Sequence, residues 1–258
     1  MMKYINYEVR DQIAFITINR PEVRNAMDTD CWLKFITLVE NADNDTDVRI
    51  IIITGAGDKV FMSGADIKNL QVRTGVENLT SISQKARQKV DECRKPVIAA
   101  INGVAFGGGF ELTLVCDIRI ASPNAKFGLP EAGLGIMPGG GGTQRLSRMI
   151  GIGRAKEVIL AGRVLNAQEA EAAGLLMKVV EPDSLLEEAV SIAKKMIAKG
   201  PVSLNVAKKV INASLDIDRT SGLLLENLGF SLLLETNDKL EGTTAFLEKR
   251  PLNLRETE

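Results

Sequence analysis

At 258 residues, 45% hydrophobic and 25% charged, the chain has the composition of a globular protein with a sizeable core, either one large domain or one domain with an appendage. Its formal net charge of −1 gives no global attraction to nucleic acid or an anionic membrane. The absence of histidine excludes Ser-His-Asp and Cys-His machinery, removes the commonest zinc ligand, and leaves carboxylates of raised pKa as first candidates for proton transfer near neutral pH.

The opening MMKYINYEVRDQ turns charged before an apolar signal region can form. No apolar run approaches the roughly 18 to 20 residues of a membrane span, so the expected location is cytoplasmic. Tyr4 to Val9 and Ile13 to Ile18 read as two strands around a polar turn at Arg10-Asp11-Gln12. Trp32, Phe35, Ile36 and Val39 repeat at helical spacing over residues 29 to 42, with Asp28 or Thr29 as N-cap. Val48 to Ile53 is β-branched without polar alternation after Arg49, the pattern of a strand covered on both faces.

Val97 to Ile101 and Ile118 to Ala121 are further strands, with a helix start at the glycines before Phe110 to Val115. Ala155 to Leu160 and Ala167 to Ala173 read as helices and Leu175 to Val180 as a short strand, a loose β-β-α order. From about Asp183 the chain turns helical: Ser184-Leu185-Leu186-Glu187 has the form of a capping box, and Pro201 suits a first helical turn. Leu223 to Leu234 is apolar on nearly every face, so it must bury both sides, one of them against another subunit. Cys31, Cys93 and Cys116 are odd in number without CxxC spacing, which indicates neither a disulfide framework nor a zinc site.

Three constellations carry chemistry, and each has a bland reading beside it. Gly107-Gly108-Gly109 is a place of close chain approach, or a backbone N–H aimed outward at a helix start; GxGxxG fails at Leu112, and no GxxxxGK[ST] occurs. In Phe61 to Lys68, Gly64 suits a left-handed turn and Asp66 a helix cap, or the loop supplies a second backbone donor for an oxyanion hole. Glu111 and Glu131 stand 20 residues apart in glycine-rich turns. A lone glutamate there is usually solvated, but apolar neighbours on both sides would raise the pKa values and suit the pair to acid/base work.

Asn19-Arg20-Pro21, SGADIK, INGVAFGGGFELTLVCDIRIA, AKFGLPEAGLGIMPGGGGTQRL and EGTTAFLEKR keep one order from about residue 10 to about residue 250. In this they resemble the enoyl-CoA hydratase/isomerase family, the crotonases. The resemblance implies an α/β fold, a crotonase-like spiral of β-β-α turns over residues 1–192 with the acyl-CoA site. A helical C-terminal region over 193–258 would then pack homotrimers, commonly doubled to hexamers. It also implies oxyanion donors at the N–H groups of Ala65 and Gly108, adenine contacts along Ala65, Asp66, Ile67 and Lys68, and no cofactor besides the coenzyme A of the substrate.

Members that add water carry both carboxylates, which points to hydration of a trans-2-enoyl-CoA to a 3-hydroxyacyl-CoA, as in fatty-acid β-oxidation. Glu111 would activate the water and Glu131 would protonate the α-carbon, an assignment the residues alone leave open. Double-bond isomerisation, which usually needs one carboxylate, is the alternative. Arg24 is a candidate for the CoA phosphates, and Phe246 and Lys249 match tail positions that reach a neighbouring subunit's CoA. An RNA-binding relative is disfavoured by the single lysine among acids in CWLKFITLVENADNDTDV, and a non-catalytic one by the two glutamates. Asn69 to Gln84 lacks a regular pattern and is expected to line the acyl pocket, whose preference stays unread.

Overall fold

The computed structural model describes residues 4–254. Strands β1 (Ile5–Arg10) and β2 (Ile13–Ile18) pair antiparallel across Asp11 and Gln12, whose φ values of 50° and 64° match the twist of a tight hairpin. Helix α1 (Thr29–Asn44) starts at Asp28, whose carboxylate accepts the Cys31 N–H at 2.9 Å. Next come β3 (Ile50–Gly55), β4 (Val60–Met62), α2 (Ile67–Val72), α3 (Gly75–Leu79) and α4 (Ile82–Glu92). Then follow β5 (Val97–Ile101), β6 (Val104–Phe106), α5 (Gly108–Leu114), β7 (Ile118–Ala121) and β8 (Lys126–Gly128). A 3₁₀ turn at Pro130–Leu134 leads to α6 (Gly142–Ile150), α7 (Ile152–Leu160), β9 (Leu165–Asn166), α8 (Ala167–Ala172) and β10 (Lys178–Val179). The chain closes with α9 (Leu185–Ile197), α10 (Pro201–Ala213), α11 (Arg219–Leu234) and α12 (Asn237–Glu248).

The strands divide into a six-stranded sheet, β1-β2-β3-β5-β7-β10, and a four-stranded sheet, β4-β6-β8-β9. Each passage from β3 to β4, β5 to β6 and β7 to β8 lays one strand in each sheet, parallel to the coil before it. That repetition is the β-β-α spiral. It also explains the unbroken apolar runs. Ile13, Phe15, Ile50, Ile52, Ile98, Ala100 and Ile120 pack under Leu185, Ala189, Ile192 and Ala193 of α9. Ile51, Ile53, Ala99 and Ile101 join Trp32, Phe35 and Val39 of α1 in the larger core. With both faces covered, these strands have no position for a polar residue to alternate into.

One expectation needs correction. Ser184 makes no cap hydrogen bond, because a 3₁₀ turn at Pro182–Ser184 runs straight into α9 and gives Ser184 helical φ and ψ. Among the described residues, capping boxes form at Thr74 with Glu77 and at Asn166 with Glu169. Residues 69 to 84, patternless in sequence, are α2, α3 and the start of α4, capped by Asp66, Thr74 and Ser81. The segments are too short for a helical period to declare itself.

Asn25 ties the early turn to the loop that leads toward residue 65. It is fully buried at φ 55°, its Oδ1 accepts the Arg20 N–H at 2.9 Å, and its Nδ2 donates to the carbonyls of Ala56 (3.1 Å) and Val60 (2.7 Å). Asn25→Ala strands these partners and leaves alanine in a left-handed conformation. We expect a loss of about 2 to 4 kcal/mol in urea unfolding, and a loss below about 1 kcal/mol would deny Asn25 this role.

Candidate active site

The loop after β4 is fixed by one parallel bridge. Met27 N–H donates to Gly64 O at 3.1 Å, and Asp66 N–H donates to Met27 O at 3.4 Å, which pairs Ala65 with Met27. In a parallel ladder the residue between those two bonds turns its own N–H to the opposite side. The Ala65 N–H therefore points away from Met27, and it has no acceptor among the described residues. Gly64 takes the expected positive φ, 108°.

Gly108 begins α5, where first-turn N–H groups have no partner within the helix. Gly107 before it combines φ 51° with ψ −125°, open to glycine alone, and its own N–H is bound to Gly128 O at 2.9 Å. The two loops touch: a Cβ on Gly64 would stand 3.5 Å from the Gly108 nitrogen. Two backbone donors on adjoining loops can serve one oxygen of a polarised carbonyl.

Both glutamates lie beside these donors in contrasting settings. Glu111 projects from α5 and is 3% exposed. Its Oε1 accepts the N–H groups of Gly140 (2.7 Å) and Gly142 (3.0 Å), and its Oε2 lies 3.3 Å from Arg87 Nη2. Glu131 sits in the 3₁₀ turn after β8, with Oε1 3.2 Å from where a Cβ on Gly107 would be. Its Oε2 is buried and meets no hydrogen-bond donor among the described residues. Burial pushes this carboxyl up to about 7; the Glu111 charge adds to the rise, while a backbone hydrogen bond and Arg87 oppose it. One carboxylate is held by two N–H donors and an ion pair, and the other is nearly bare.

Arg87 went unnoticed in the sequence. It occupies the buried stripe of α4 with Ala86 and Val90, and its guanidinium lies 5.0 Å from the Trp32 ring centroid. The available signal was an arginine at the helical spacing of Ser83, Ala86 and Val90. The run Gly139 to Gly142 was visible, but its role as donor to Glu111 was not.

The other expected residues divide into two groups. Asp66, Ile67 and Lys68 continue the Ala65 loop into α2, with Asp66 capping it through a 2.8 Å bond from Lys68 N–H. Arg24 is exposed beside them, and its carbonyl accepts the Ser63 N–H at 3.1 Å. Phe246 and Lys249 stand exposed on and just after α12, which packs on α10 and α11 rather than on the loops that gather the glutamates. Among the described residues no group of three or more Cys, Asp or Glu could hold a metal ion, and no helix is long and apolar enough to cross a membrane. All three cysteines are buried and unpaired.

A family model described as enoyl-CoA hydratase/isomerase matches residues 8–257. The chain is 44% identical over 248 residues to the crotonyl-CoA hydratase of Syntrophomonas wolfei, covering 95% of both chains. It is 42% identical over 247 residues to the short-chain-enoyl-CoA hydratase of Clostridium acetobutylicum, again covering 95% of both. The solved enoyl-CoA hydratase of Bacillus anthracis superposes with a TM-score of 0.93 at 38% identity, covering 97% of this chain and 98% of that one.

Gly140 offers a direct test of the carboxylate's setting. A Cβ there would overlap Glu111 Oε2 and stand 2.5 Å from the Arg87 guanidinium carbon. Gly140→Ala is expected to lower thermal stability by an amount equivalent to about 1 to 3 kcal/mol. Unchanged stability would mean that the glutamate and guanidinium are not packed against this backbone.

Proposed function

The chain belongs to the enoyl-CoA hydratase/isomerase family, and we propose that it is a hydro-lyase that adds water to a trans-2-enoyl-CoA to give a 3-hydroxyacyl-CoA. The observation that carries this reading is the unlike setting of its two carboxylates. In our mechanism the thioester oxygen accepts the Ala65 and Gly108 N–H groups, which stabilise the enolate as negative charge develops there. Glu111, anchored by two N–H groups and a guanidinium, orients the water and accepts its proton as the oxygen attacks the β-carbon. Glu131, with its carboxyl pushed up to about 7, delivers a proton to the α-carbon. An isomerase can shuttle one proton on one base and has no comparable use for the second carboxylate.

The acyl group we favour is short and unbranched, after the crotonyl and short-chain relatives. For the coenzyme A portion we assign Ala65 to Lys68 to the adenine, Arg24 to the phosphates, and Phe246 and Lys249 to the CoA of a neighbouring copy. Coenzyme A enters as part of the substrate, no separate cofactor is invoked, and the cytoplasm remains the expected location. A homotrimer or hexamer is supported by α11, where Leu224, Leu228, Phe230 and Leu232 are all more than half exposed in the single chain. Residue 192 lies inside α9, whose Ala193 still packs on the large sheet. We therefore place the division between spiral and C-terminal helices after Ile197.

Addition of the protein to crotonyl-CoA should remove the enoyl thioester absorbance, and failure to do so would refute the hydratase reading. Glu131→Gln should lower kcat by about 10²-fold or more while binding of a saturated acyl-CoA persists; a near-normal rate would remove its role. The active form of Glu131 in hydration is the protonated one. kcat should therefore decline about tenfold per pH unit above about 7, and a flat profile to pH 9 would oppose the assignment. Leu224→Glu combined with Leu228→Glu should convert the oligomer to monomer in light scattering; an unchanged mass would clear α11 of that function.

A further inference from the structure

Arg87 is a buried charge between the two coils that carry the proposed site. Its Nη1 donates to Ser83 O at 2.9 Å, and its Nη2 donates to Gly108 O at 3.2 Å while lying 3.3 Å from Glu111 Oε2. Nε is buried and finds no acceptor among the described residues. A Cβ on Gly108 would stand 2.5 Å from Nη2 and one on Gly140 2.5 Å from Nη1, so the chain leaves side chains out on two sides to admit the guanidinium. Trp32 forms a further wall.

Burying a guanidinium carries a large desolvation cost before pairing, and an apolar side chain of similar volume usually serves stability as well or better. Core packing therefore does not account for a charge here. The contacts join two functional parts, the residue that bears one oxyanion donor and the carboxylate assigned to the water.

We propose that Arg87 is a positioning residue for hydration, clamping the Gly108 carbonyl and Glu111 Oε2 so that oxyanion donor and water-activating carboxylate stay in fixed relation. The proposal rests on the hydratase reading. The guanidinium is enclosed by protein, with Nη1 on Ser83 O and Nη2 on Gly108 O, so it does not read the acyl group. It also acts on Glu131. The charged groups around that carboxyl are Glu111 of α5 and Arg87 of α4; beyond Arg87 stands Arg145 of α6, itself paired with Asp91 at 2.6 Å. Of these, Arg87 holds the Glu131 carboxyl down against burial and against the Glu111 charge.

The test compares Arg87→Gln, Arg87→Lys and Arg87→Ala with the unaltered protein, using crotonyl-CoA for turnover and calorimetric binding of butyryl-CoA for affinity. Arg87→Gln should lower kcat by about 10²-fold with butyryl-CoA affinity within about threefold, and the alkaline limb of the rate profile should move up from about 7. Arg87→Lys should recover part of the loss. Guanidinium ion at tens of millimolar should raise kcat of Arg87→Ala by about tenfold, a rescue that general weakening of the fold would not produce.

A folded Arg87→Gln with kcat within about threefold of normal overturns the proposal. So does a rate loss matched by equal loss of butyryl-CoA affinity, or an unmoved limb with no guanidinium rescue. The two readings fail separately. An unaltered protein that does not hydrate crotonyl-CoA removes the hydratase reading and this role with it, whereas an active protein indifferent to Arg87 removes only the clamp.

Discussion

The site depends on backbone meeting backbone with nothing between. Gly109 lies so close to Met62 O that a Cβ would collide with it, which presses the first turn of α5 against the end of β4. That contact brings the Gly108 N–H to the loop that carries the Ala65 N–H. On the far side, Gly140 lets the 139–142 segment approach Glu111 closely enough to donate two N–H groups. Side chains at these positions would separate three coils of the spiral by about a methyl group each. In the proposed mechanism the two donors would then no longer serve one oxygen, since oxyanion stabilisation works only within about 0.5 Å of the intended geometry.

The same compactness creates the electrostatic asymmetry. Two carboxylates in one buried space repel, and charging both is unfavourable unless something intervenes. The fold intervenes unequally. Glu111 takes both glycine N–H groups and the close guanidinium contact, while at Glu131 desolvation and the repulsion of its neighbour outweigh a backbone hydrogen bond and the more distant pull of Arg87. In the proposed mechanism this asymmetry lets one carboxylate serve as acceptor and the other as proton carrier, without histidine. Amino-acid identity is alike at the two positions, so the difference in role resides wholly in what surrounds them.

Much of this could be read from residues alone, and the exceptions share a cause. β3 and β5 declared themselves because strands covered on both faces lose their alternation, and Glu111 and Glu131 stood out against the glycines around them. Arg87 did not, because a helical stripe is read by its apolar members and an arginine among them is taken for a solvated neighbour. Its burial is set by Trp32 from α1 and by Gly108 and Gly140 from later coils, contacts that no local window contains. Residues 69 to 84 hid for the opposite reason: their helices are so short that the caps, Thr74 and Ser81, carry more information than any period. Ser184 misled because Pro182 starts a 3₁₀ turn earlier than the capping pattern assumes.

The C-terminal helices are tied to the strands that carry the site. Lys208 of α10 is almost wholly buried, and its ammonium reaches Asp117 Oδ2 at 2.9 Å and Lys95 O at 3.3 Å. Asp117 in turn accepts the Val97 N–H at 2.7 Å. Val97 opens β5 and Asp117 immediately precedes β7, so one ammonium pins α10 to the starts of two paired strands, between which the chain runs through β6 and α5 with Glu111. A Cβ on Gly229 would stand 3.0 Å from Val206, which seats α11 directly on α10 and turns its leucines outward. In the proposed oligomer, a partner docked on α11 would be held in a defined relation to the carboxylates through a short series of buried contacts. On the proposed assignment, Phe246 and Lys249 would then meet, across that interface, a CoA whose reacting end is positioned by the same β5 and β7 framework.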